Sequence, residues 1–184
     1  MTHAHCHAQH RVDVEPMDIE LFRRSVKELM RESLDDGALK PRVFGNKGPQ
    51  HARIVIDEML ANTSREFVTF CGLMSADVYS EQSILSFLRR PGAIMRVIVE
   101  SSEALKSPDS VLSRLPKDAL SKIEIYYGNF DHKALHFSVC DARDVRLETD
   151  SKTREAIVRF GDSKFAREAV NHFSNLAKSG EKLE

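Results

Sequence analysis

The stretch "LHFSVCDARDVRLE", residues 135–148, gathers the side chains best suited to chemistry. His136 offers an imidazole that can attack phosphorus or relay a proton. Ser138, two positions on, offers a neutral hydroxyl. Arg146 and Glu148 alternate with Val145 and Leu147, so on a strand they share a face. There Arg146 would clasp a phosphate or carboxylate through its planar fork, and Glu148 would orient Arg146 or His136. The plainer reading of that pair is an exposed cross-strand ion pair, worth well under about 1 kcal/mol. Just upstream, "FDHK" carries His132 and Lys133, a second imidazole and a cation that would join His136; a solvated loop is the simpler account of both.

A second cluster, "HAHCHAQH" at residues 3–10, holds His3, His5, Cys6, His7 and His10. These are ligands for zinc, nickel or copper, but the alternating spacing matches no closed site, and adventitious affinity is the expected behaviour. No metal or other cofactor is expected in the folded part. The three cysteines, Cys6, Cys71 and Cys140, are an odd number without C-x-x-C spacing, so no disulfide framework is expected.

Around these residues the chain is long enough, at 184 residues with 41% hydrophobic and 30% charged side chains, for one domain with a substantial core. Lys and Arg (27) balance Asp and Glu (28), so no overall field points to nucleic acid or an anionic membrane, and any such binding must be local. Apolar runs are far too short to span a bilayer, and a cytoplasmic location is the default.

Residues 1–16 read as a disordered, histidine-rich leader. Residues 17–49 read as an amphipathic helix, with Ile19, Phe22, Val26, Leu29 and Met30 at helical steps, followed by a Gly- and Pro-containing loop over 37–49. The main domain, residues 50–178, begins with a helix over 51–61. A buried strand over 66–71, a helix capped by Ser80 and stopped at Pro91-Gly92, and a strand over 93–100 then form a βαβ crossover. Strands follow over 122–128, 134–141, 145–148 and 155–160. A helix capped by Asp162 runs to about Lys178, and residues 179–184 read as a tail. Strand alternation places His136 alongside Ser138 and opposite Leu135 and Phe137.

Two stretches resemble the phospholipase D-like superfamily. One is residues 51–100, with "SILSFLRRPGAIMRVIVE". The other is residues 136–176, where a histidine-bearing hairpin, "HFSVCDARDVRLE", leads into "AIVRFGDSKFAREAVNHFSNL". The resemblance implies an α/β fold with a mixed, largely parallel sheet flanked by helices. It also implies phosphodiester chemistry, in which a histidine attacks phosphorus, a lysine two residues on stabilises the phosphoryl oxygens, and a second histidine protonates the leaving group. His136 takes the histidine position, but Ser138 stands where that lysine would be and Arg143 where the motif has aspartate. Leu147-Glu148-Thr149 replaces its glycine-rich turn.

Two functions follow as expectations. The first, preferred, is a catalytically degenerate module, more a binder than an enzyme, that engages a partner protein or nucleic acid and no membrane. The alternative is a metal-independent phosphodiesterase or nuclease whose site is completed by homodimerisation around His136, with Lys133 or Arg146 replacing the lost lysine.

Overall fold

The computed structural model describes residues 19–35, 40–130 and 135–183. The leader lies outside the described residues, as do His132 and Lys133. Helix α1 (Ile19–Asp35) buries Phe22, Val26 and Met30, which recur every four residues on one face. That face packs on α2 (Gly48–Asn62), where Phe22 stacks on His51 with ring centroids 4.0 Å apart. Between the two helices lies β1 (Arg42–Asn46).

After α2 come β2 (Glu66–Cys71), α3 (Glu81–Leu88) and β3 (Ile94–Val99), with β2 and β3 parallel. Ser80 caps α3 by accepting a hydrogen bond from the Ser83 amide, and Gly92, at φ 73°, turns the chain into β3. Short helices α4 (Ser102–Lys106) and α5 (Lys117–Leu120) lead to β4 (Ile123–Tyr127), parallel to β3. The chain then forms β5 (Phe137–Cys140), β6 (Asp144–Asp150) and β7 (Glu155–Phe160). Helix α6 (Ser163–Ser179), capped by Asp162, and β8 (Glu181–Lys182) follow.

The eight strands form one sheet in the order β1-β7-β6-β5-β2-β3-β4-β8. Alternate residues of β2 divide between two cores. Phe67 and Cys71 join α1, α2 and α3 on one face, while Val68 and Phe70 pack with Phe137, Val139 and Phe173 of the α6 layer. The sheet is thus mixed and flanked by helices, as the sequence suggests.

Four details correct the sequence reading. Residues 42–46, within the stretch read as a loop, form a strand antiparallel to β7. Its strand character is masked by Gly45 and the neighbouring Pro41, Gly48 and Pro49, and its partner lies far along the chain. Strand β5 begins at Phe137, leaving His136 just ahead of it. Glu181 and Lys182, read as tail, pair with Tyr127 and Tyr126 of β4. The sheet is not largely parallel: parallel pairing is confined to β2, β3 and β4, because β5, β6 and β7 are joined by tight hairpins that permit only antiparallel neighbours.

Candidate functional site around His136

Sheet register assembles the site from two rows that share one face of the sheet. One row runs Thr69, Ser138, Arg146, Val158, Phe44 across β2, β5, β6, β7 and β1. The next brings Glu148, Ala156 and Asn46 into line, and the His136 carbonyl accepts from the Glu148 amide at 2.8 Å. Ser138, Arg146 and Glu148 therefore sit with His136 at the sheet end where β2 and β3 finish, the usual place for sites in α/β sheets.

His136 is held from both sides. Its Nδ1 lies 3.3 Å from Glu148 Oε1 and its Nε2 lies 2.9 Å from Glu100 Oε1. An ionised carboxylate only accepts hydrogen bonds, so when the ring is protonated both nitrogens donate at once, one to each acid. Burial pushes the imidazole pKa down, but hydrogen bonds to Glu148 and Glu100 and their charges outweigh it, leaving His136 above its ordinary value of 6.5.

Glu148 is the hub. Arg146 Nη1 donates to its Oε2 at 3.1 Å and Arg154 Nη1 to its Oε1 at 3.2 Å. Burial raises the Glu148 carboxyl, yet the His136 hydrogen bond and the two guanidinium charges reverse this and hold it below its ordinary range. Arg146 completes its fork with Asn46 Oδ1 at 3.1 Å and the Arg154 carbonyl at 3.0 Å, and Asn46 Nδ2 donates to that same carbonyl at 2.9 Å. Arg154 presents it from a hairpin residue at φ 59°. Arg146 and Glu148 are only 2% and 5% exposed, so they are neither a surface pair nor cross-strand. Buried charges of this kind persist only when paired and hydrogen-bonded, as these are.

Ser138 does not face an open site. Its hydroxyl lies 2.9 Å from Thr69 Oγ1 and 3.3 Å from the Tyr79 hydroxyl, all three buried. Burial pushes the Tyr79 phenol far above its ordinary value, so it stays neutral. Arg143 also points away, bonding Asp144 through Nε at 3.0 Å at the other end of the hairpin. The crevice lined by Gly72, Met74, Tyr79, His136, Arg146, Glu148 and Arg154 has a volume of about 10 Å³, room for about one water molecule. Among the described residues, no group of three or more His, Cys, Asp or Glu could hold a metal ion.

Sequence reasoning missed Glu100, Arg154, Asn46 and Gly72. Glu100 carried a usable signal, because it ends an apolar parallel strand at the sheet edge where sites form. Arg154 and Asn46 did not: one sits in a turn and the other in a strand read as loop. Gly72 matters through its missing side chain, since a Cβ there would stand 3.2 Å from Glu100 Oε2 and 3.4 Å from His136 Cε1.

No family model matches this chain, and no curated protein matches it in sequence. Solved structures do match it in fold. Nuc from Salmonella typhimurium, a phospholipase D family member, superposes with a TM-score of 0.61 at 14% identity, over 79% of this chain and 99% of Nuc. NucT from Helicobacter pylori gives 0.55 at 11% identity, over 78% of this chain and all (100%) of NucT. TrmBL2, an archaeal chromatin protein with a novel mode of DNA binding, gives 0.59 at 18% identity over 90% of this chain. The chain spans 64% of the length of TrmBL2. At these identities the likeness is one of architecture, and the architecture is that of the phospholipase D-like fold.

Proposed function

We propose that this domain is a cytoplasmic phospholipase D-like module whose catalytic motif has degenerated and which binds nucleic acid without cleaving it. The observation that carries the reading is the double clamp on His136. With Nδ1 on Glu148 and Nε2 on Glu100, both ring nitrogens are engaged by carboxylates and neither is open toward a phosphorus atom. Ser138 supports the same reading, because a buried neutral hydroxyl cannot replace an ammonium that neutralises phosphoryl oxygens in a dry site. The fold shared with DNA-binding TrmBL2 favours nucleic acid over a partner protein. So does the local cation content: exposed Lys47 leads into α2, whose Gly48 amide bonds the Thr153 carbonyl at 3.1 Å, next to exposed Lys152 and half-buried Arg154.

The test is fluorescence anisotropy of the purified chain with labelled single- and double-stranded DNA and RNA across a salt series, run beside nuclease and phosphodiesterase assays with and without chelator. Salt-dependent binding without turnover is the expected result. Turnover that survives chelation and disappears in His136→Ala would establish the alternative, a metal-independent phosphodiesterase. Its homodimeric form would elute as a dimer. Absence of binding to every nucleic acid would turn the reading to a protein partner.

A further inference from the structure

Glu100 offsets part of the positive charge gathered around His136. His136, Arg146 and Arg154 supply three cations, and Glu148, at their centre, supplies one carboxylate. Glu100 is the second anion, and it is built differently from the rest. It follows β3, its amide bonds the Gly72 carbonyl at 3.2 Å, and its side chain is 43% exposed where Glu148 is 5% exposed. Its contact with the site is the one from Oε1 to His136 Nε2 at 2.9 Å. Gly72 keeps open the space in which that contact is made.

We propose that Glu100 is an internal stand-in for an external oxyanion of the phosphate class: its carboxylate occupies the place at His136 Nε2 that such an anion takes when Glu100 swings out. A carboxylate and a phosphate oxygen answer the same charged donor, so the exchange preserves the hydrogen bond while replacing its acceptor. An exposed carboxylate loses little on release, because water and counterions screen it. The inference rests on the reading of this domain as a binder, and it names how that binding is gated.

The experiment titrates inorganic phosphate, and separately a short oligonucleotide, into the full chain and follows the His136 ring nitrogens by NMR. Wild type is compared with Glu100→Ala, which removes the stand-in, and Glu100→Gln, which keeps its length but removes its charge. Both variants are expected to bind phosphate about tenfold more tightly than wild type, with shifted His136 resonances. A Glu100→Ala, His136→Ala double variant should lose the gain. Equal affinity in wild type and Glu100→Ala overturns the proposal. So does a gain that survives in the double variant, which marks an adventitious ion only. A phosphate gain without any oligonucleotide gain supports the gate, assigns it to free phosphate and sinks the nucleic-acid reading. Phosphodiester turnover by Glu100→Ala supports the gate and overturns the binder.

Discussion

The β5–β6 hairpin carries buried acids at both ends, and the two ends are held by different means. At the turn, Asp141 accepts from the amides of Ser64, Arg65 and Glu66 at 2.7, 2.9 and 2.8 Å and from the Ser64 hydroxyl at 2.9 Å. Nearby, Asp144 accepts from the Gly161 amide at 2.8 Å and from Arg143 Nε at 3.0 Å. At the open end, Glu148 and Glu100 are held by side chains: His136, Arg146 and Arg154. Backbone donors are fixed by the sheet and do not titrate. Side-chain donors carry charge and rotate, and His136 also titrates. Asp141 is therefore a permanent pin, and the His136 end is the part of the hairpin able to exchange one partner for another.

Three perturbations sharpen this contrast. The largest effect belongs to Glu148→Ala, which leaves Arg146 and His136 without their buried counter-charge. A loss of about 3–5 kcal/mol in chemical denaturation is expected. Asp141→Ala comes next, at about 1–3 kcal/mol, because the amides it releases lie near the surface where water partly replaces it. If Asp141→Ala proves the more damaging, the open end is not the charged keystone described here.

The smallest effect is in pH, and its sign differs between His136 and Glu148. His136 has a raised folded pKa, so its stabilisation is fully present below 6.5 and fades as pH rises through the folded value. Glu148 has a depressed one, so its contribution is present above 4.5 and fades as pH falls through its lower folded value. The difference in stability between wild type and His136→Gln should therefore be greatest between 4.5 and 6.5 and shrink as pH rises through the raised folded value of His136. For Asp141, burial raises the carboxyl, but the backbone amides more than offset it and leave it below 3.8. The difference for Asp141→Ala should stay flat across the same window, and a slope there would erase the distinction between the ends.

Most of the fold was legible because its central elements announce themselves locally. Strands β2 and β7 are unbroken apolar or alternating runs, and α3 and α6 carry their own caps in Ser80 and Asp162. Strand β1 was hidden because five residues containing a glycine become a strand only through a distant partner. Strand period alone put His136 beside Ser138 and Arg146 beside Glu148, while the register that sets the two pairs against each other is tertiary. The site's electrostatics did not follow from strand period either, since burial of Arg146 depends on Asn46 and on the Arg154 carbonyl, both brought in by tertiary register. Glu100 could not be tied to His136 by any spacing, because one follows β3 and the other precedes β5, two strands away.

The pairing of β1 with β7 also sets an order of events in time. Arg42 must wait for Phe160, its register partner, so most of the chain is synthesised before the first strand finds a neighbour. Closing so long a loop is entropically costly and comes late in folding. Until then the backbone donors and acceptors of β1 have no ladder to join. Asn46 lies on that strand and steadies Arg146, so the charged hub around Glu148 should be the last part of the molecule to mature, after the core beneath it has set.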